Sequence, residues 1–118
     1  MSIHIKRAYD DASKSDGYRV LVDRIWPRGV SKEEARVDLW LKEIAPSTEL
    51  RKWFGHDPDK WSEFKKKFKD EIHDNKSAWD QLKDVVKEHS TVTLIYAAKD
   101  EQHNNAVVLA ELLKKAAK

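Results

Sequence analysis

Cysteine is absent from the 118-residue sequence. Disulfides, thiolate nucleophiles and cysteine-ligated zinc are excluded with it. Glycine and proline occur three times each, and neither a phosphate loop nor a dinucleotide fingerprint is present. No serine stands in a Gly-x-Ser-x-Gly elbow, so nucleophilic catalysis has little support. Net charge is nearly lacking: 23 Lys and Arg face 21 Asp and Glu, a formal +2. No overall field draws the chain to nucleic acid. Long apolar runs are missing too. The opening Met-Ser-Ile-His-Ile-Lys-Arg has nothing of signal-peptide or membrane-span length, so the expectation is a cytoplasmic protein without membrane attachment.

What is present suits one α/β domain over residues 1–118, with a central mixed or parallel sheet of few strands flanked by helices. A domain of this size buries enough apolar surface to fold without staples. Five tryptophans are expected to anchor its core.

Residues 2–9 read as a strand, with Ile3 and Ile5 on one face. Asp10 to Gly17 is turn chemistry. Tyr18 to Ile25 contains the run Val20-Leu21-Val22, which suits a strand buried on both faces. Pro27 and Gly29 break it. Ser31-Lys32-Glu33-Glu34 is a capping box. Residues 37–41 fit helix or extended chain equally. Ser47 is expected to cap a helix that Gly55 stops, and Asp57-Pro58 starts another. In that helix Trp61, Phe64, Phe68 and Ile72 form one apolar stripe, with Lys65-Lys66-Lys67 mostly off it. Ser77 is expected to cap a further helix carrying Leu82, Val85 and Val86. Thr91 to Ala98 reads as a second buried strand. The last helix spans Asn104 to about Ala116.

Two buried strands, each followed by a polar loop, are expected to neighbour one another. If they run parallel, both carboxyl ends open on one edge, where open α/β sheets bind ligands. That places Asp23, Arg24, Trp26, Arg28 and Gly29 opposite Lys99, His103, Asn104 and Asn105. Arg24 and Arg28 offer planar donor forks to phosphate or carboxylate, Lys99 adds a point charge, and the helix start adds unpaired N–H groups. Asp23 is the one candidate catalytic residue: it orients an arginine, accepts a ligand hydroxyl or acts as a base. Each residue also has a plainer reading. Asp23, Arg24 and Arg28 fit an internal ion-pair network, Trp26 a core anchor and Asn104 a helix cap. His103 and Asn105 fit either role. His56-Asp57-Pro58-Asp59 supplies too few convergent ligands for a metal, since Asp57 is committed as a cap. No metal or other cofactor is expected.

The leading expectation is a site for a phosphate- or carboxylate-bearing small molecule, a nucleotide included. A nucleic-acid-binding module using the same arginines, Trp26 and the lysine-bearing helix is the second reading. A structural or interaction domain with an internal ion-pair network is the third. Whether a reaction follows binding stays open.

Residues 18–32 (Tyr-Arg-Val-Leu-Val-Asp-Arg-Ile-Trp-Pro-Arg-Gly-Val-Ser-Lys) resemble the signature of the YeaO-like group in domain-of-unknown-function family 488. So do residues 40–47, residues 51–56, and Tyr96-Ala97-Ala98-Lys99-Asp100 with His103-Asn104-Asn105-Ala106. The resemblance covers nearly the whole chain and implies a single domain with its site at these loops. It implies no reaction. More distant members of the wider family carry Cys and His-Arg around the loop matching residues 99–105. This chain has no Cys there, so no thiol or metal role carries over. A transcription-regulator label sometimes travels with the group, but no helix-turn-helix pattern is present.

Overall fold

The computed structural model describes residues 2–116. Four strands, β1 (Ser2–Arg7), β2 (Tyr18–Leu21), β3 (Leu39–Trp40) and β4 (Thr91–Tyr96), form a sheet in the order β1-β4-β2-β3. Every pairing is parallel. The two strands expected to be neighbours are neighbours, with Tyr18 opposite Val92 and Leu21 opposite Ile95. The carboxyl ends of all four strands therefore lie on one edge.

The apolar runs explain the burial. Val20, Leu21, Val22, Leu94 and Ile95 are fully buried, and successive side chains alternate between faces. Val20, Val22, Leu94 and Tyr96 join the main core. Leu21 and Ile95 face a smaller cluster with Ala8, covered by Trp26, Val37 and Trp40.

The helices are α1 (Lys32–Ala35), α2 (Thr48–Phe54), α3 (Trp61–Asp74), α4 (Lys76–Glu88) and α5 (Asn105–Ala116). Ser31 caps α1 through the expected box with Glu34. Ser47 caps α2, and Gly55 ends it in a left-handed conformation at φ 54°. Asp57 accepts from Asp59 N–H, but what it caps is a 3₁₀ turn, Pro58–Lys60, that leads into α3. Phe64, Phe68 and Ile72 of the apolar stripe are buried.

Three expectations need correction, and one open reading is resolved. Ser77 caps nothing: α4 begins at Lys76, and Asn75 holds the cap position. The ambiguous residues 37–41 supply the two-residue strand β3. Strand β2 stops at Leu21 rather than Ile25, because the chain leaves the sheet after Val22 N–H donates to the Ile95 carbonyl at 3.0 Å. The tryptophans do not anchor the core. Its largest fully buried side chains are Phe68, Leu21, Ile44, Leu82 and other aliphatics, while Trp53, Trp61 and Trp79 pack against its rim. Lysines cover those rim rings: Lys60 and Lys67 over Trp53, Lys65 over Trp61 and Lys83 over Trp79. An indole is too large and too polar at its N–H to disappear into this core. A lysine stem shields its outer face instead.

Candidate functional site

Strands β2 and β4 end side by side, so each leaves backbone groups without a ladder partner. Two polar side chains close that gap. The Asp23 carboxylate accepts Ala97 N–H at 2.9 Å. The Asn105 amide donates to the Val22 carbonyl at 2.9 Å and to Asp23 Oδ1 at 3.1 Å. Asp23 is half-buried. Burial pushes its carboxyl above the ordinary carboxylate value, against the hydrogen bonds from Asn105 and Ala97 and the nearby charges of Arg51 and His56, which act to lower it.

Asp23, Arg24, Trp26, Arg28, Asn104 and Asn105, all singled out from sequence, line one cavity of about 320 Å³. Arg24 is partly committed: its guanidinium donates to the Ala45 carbonyl at 3.1 Å and, at 3.4 Å, to that of Pro46. It ties the loop after β2 to the chain after β3. Arg28 is exposed at the rim. Its backbone carbonyl accepts the Tyr9 hydroxyl at 3.0 Å, and its side chain has no carboxylate partner among the described residues. Trp26 is held as a wall: its indole N–H donates to the Val30 carbonyl at 2.7 Å, and its ring meets Trp40 edge-on at 5.5 Å. Trp40 in turn donates to the Asp23 carbonyl at 2.8 Å. Asn104 is buried and caps α5, accepting Val107 N–H at 3.1 Å.

Three expected site residues lie outside the cavity lining. Gly29 has φ 80°, so glycine serves the turn and not a close ligand approach: a Cβ there would meet nothing within 4 Å. Lys99 is exposed beyond the sheet edge. His103 is turned away, its Nδ1 2.8 Å from Asp100 Oδ2 and its ring edge-on to Trp61. The internal ion-pair network is not formed: among the described residues no salt bridge joins Asp23 to Arg24 or Arg28. The buried network lies at the opposite end of β2, where Asp16 pairs with Arg19 at 2.6 Å and Lys6 at 3.1 Å.

The sequence reading missed Arg51, Phe54, His56 and Phe64, which also line the cavity. Arg51 and Phe54 belong to α2, and His56 follows its glycine stop at φ 58°. The two caps reveal α2 in the sequence, but nothing local shows which of its faces meets the loop after β2. That face is fixed from a distance: Glu71 of α3 accepts the Ser47 N–H at 2.8 Å and the Ser47 hydroxyl at 2.6 Å.

Fold and lining together describe a small parallel α/β domain with a cavity at the carboxyl edge of its sheet. The chain belongs to the DUF488 family: residues 2–118 match the model described as "Inactive DUF488-N3 subclade". The uncharacterized protein YeaO of Escherichia coli K12 is 44% identical over 114 residues, 97% of this chain and 98% of its own. The uncharacterized protein Rv3073c of Mycobacterium tuberculosis H37Rv is 41% identical over 111 residues, 94% of this chain and 92% of its own. No solved structure matches the chain significantly. Among the described residues no helix is long and apolar enough to cross a membrane.

Proposed function

We propose that the chain binds a small phosphate- or carboxylate-bearing molecule in the cavity at the strand carboxyl ends. One observation carries the reading. Arg28 and Arg51 line the cavity without a carboxylate partner, while the one carboxylate beside them, Asp23, is held by the neutral donors of Asn105 and Ala97. Guanidinium groups left unpaired beside an apolar floor of Phe54, Phe64 and Pro46 suit an anion attached to an apolar body. A volume of about 320 Å³ sits at the small end for ligand sites, so the occupant is a single metabolite and not a polymer.

The reading is one of binding: no serine, lysine or tyrosine lines the cavity, the chain has no cysteine, and of the two nucleophile types in the lining, Asp23 and His56, Asp23 is engaged by Asn105 and Ala97. The matching subclade is described as inactive. The nucleic-acid reading loses its footing on α3, where Lys65 lies over Trp61 and pairs with Glu111 at 3.3 Å and Lys67 lies over Trp53.

A ligand that binds only the folded state raises the melting temperature by mass action. Thermal melts with a panel of phosphate- and carboxylate-bearing metabolites are expected to show a concentration-dependent rise that Arg28→Ala and Arg51→Ala abolish. A flat panel would remove the reading.

A further inference from the structure

The inner end of the cavity has a feature that anion binding leaves unused. Asp23 has four lone-pair positions on its two oxygens, and protein donors take one on each: Ala97 N–H on Oδ2 and the Asn105 amide on Oδ1. One acceptor position remains on each oxygen. The Asn105 amide nitrogen is committed to Val22 and Asp23, so its carbonyl oxygen is a further acceptor without a protein partner among the described residues. Four acceptor positions thus belong to two adjacent residues of the lining, one on each Asp23 oxygen and two on the Asn105 carbonyl oxygen, and the donors that hold them are backbone or amide groups fixed by the ends of β2 and β4. The guanidiniums of Arg28 and Arg51 are exposed, so the cations stand at the mouth. Trp26, Phe54 and Phe64 add aromatic surface to the same lining.

From this arrangement we infer that the ligand is a flat heterocycle with adjacent ring N–H and amino donors, read by Asp23, and an anionic tail, read by Arg28 and Arg51. The inference rests on the anion-binding reading and names the chemistry of the rest of the ligand. A 2-amino-4-oxo-pyrimidine edge has this donor pair, and guanine nucleotides and pterins share it. The two donors meet the two carboxylate oxygens side by side, as a bidentate charge-assisted pair. Adenine presents a ring acceptor beside its amino donor, which sets lone pair against lone pair at Asp23. Hypoxanthine keeps the ring N–H and lacks the amino group. A buried polar group left without a partner costs more than the bond itself contributes, so the site discriminates most strongly against the mismatched edge.

Calorimetric titration of the full chain with a ligand series reads this directly. The probes are guanosine, inosine and adenosine 5′-monophosphates, ribose 5-phosphate and pterin-6-carboxylate. Guanosine monophosphate or the pterin is expected to bind about tenfold or more tighter than inosine monophosphate, and about a hundredfold tighter than adenosine monophosphate. Which of the two binds tighter identifies the source of the edge. Equal affinity across the nucleotides and ribose 5-phosphate would overturn the inference and leave the anion site standing. Preference for adenosine monophosphate would overturn it as well. No binding by any probe would overturn both readings. In Asp23→Asn the guanosine-to-inosine preference is expected to collapse to about one, with ribose 5-phosphate binding retained. If that variant does not fold, the ligand series on the unaltered chain still decides.

Discussion

Asn105, the first residue of the last helix, donates to Asp23, 82 positions earlier in the chain, at 3.1 Å. The same amide nitrogen holds the Val22 carbonyl at 2.9 Å. This pair fixes the loop after β2 against the start of α5 and sets the cavity's inner end. Asn105→Ala leaves the Val22 carbonyl without its donor and is expected to cost about 1–3 kcal/mol, as for other buried unpaired groups. Asn105→Asp sets a second carboxylate against Asp23 and is expected to cost more. Urea unfolding of both variants measures the order, and an aspartate variant as stable as the parent would contradict it.

Two carboxylates, the buried Asp16 and the half-buried Asp23, give opposite responses to pH. Burial alone raises Asp16, but hydrogen bonds from Ser13 N–H, Lys6 and Arg19 outweigh it and hold the carboxyl below its ordinary 3.8. The unfolded chain then binds the proton more readily, so the stability Asp16 contributes is full above the ordinary value and is lost as pH falls through the lowered one. Asp23 is raised by burial, so the folded chain holds its proton more tightly, and stability falls as pH rises from the ordinary value through the raised one. Urea unfolding across the acid range is expected to show the advantage of the parent over Asp16→Asn shrinking as pH falls. Its difference from Asp23→Asn is expected to move the other way, in favour of the parent. Parallel trends would contradict the assignment.

Arg19 carries the buried ion pair. Its Nη1 meets Asp16 at 2.6 Å and its Nε donates to the Ala35 carbonyl at 3.0 Å, while Nη2 is buried without a partner among the described residues. Removing Arg19 takes the closest of Asp16's partners but leaves Lys6 at 3.1 Å and the Ser13 N–H at 2.9 Å. Arg19→Ala is therefore expected to destabilise by about 1–3 kcal/mol, as for a lost charge-assisted hydrogen bond, and to leave ligand affinity unchanged, because this network lies at the far end of β2. Chemical denaturation and binding on the same sample separate the two effects.

Two glycines with positive φ divide sharply in what they tolerate. A Cβ on Gly17, at φ 65°, would collide with the Thr91 backbone carbonyl, whereas one on Gly29 would meet nothing within 4 Å. Gly17→Ala is expected to cost roughly 2 kcal/mol or more, from strain and overlap together. Gly29→Ala meets the left-handed strain alone, about 1–2 kcal/mol, and leaves binding intact because Gly29 is outside the lining. Melting curves rank the pair, and a Gly29 variant that folds but loses the ligand would put the glycine back in the site.

The legible part of the site is the part encoded by strand ends. Val20-Leu21-Val22 and the run from Thr91 to Tyr96 mark two doubly buried strands, and their parallel pairing puts Asp23, Arg28 and Asn105 in one place. Residue type was a poorer guide than position. Lys99 and His103 carry suggestive chemistry, yet Lys99 is exposed outside the lining and His103 is taken by Asp100. Arg51 and His56 carry no local signal, because their place depends on the Glu71–Ser47 contact between helices 24 positions apart. The rim position of Trp53 was hidden too, since its lysine covers, Lys60 and Lys67, come from other elements, whereas Lys65 on Trp61 and Lys83 on Trp79 stand at the helical spacing of four.

The most direct test of the anion site is a heteronuclear NMR titration of the ¹⁵N-labelled chain with ribose 5-phosphate, which localises even weak binding. The account expects saturating amide shifts confined to residues 23–28, 51–56, 97–98 and 104–105, and their loss in the Arg28→Ala, Arg51→Ala double variant. Shifts that never saturate, that persist in the double variant, or that centre on Lys65 to Lys69 of α3 would contradict it.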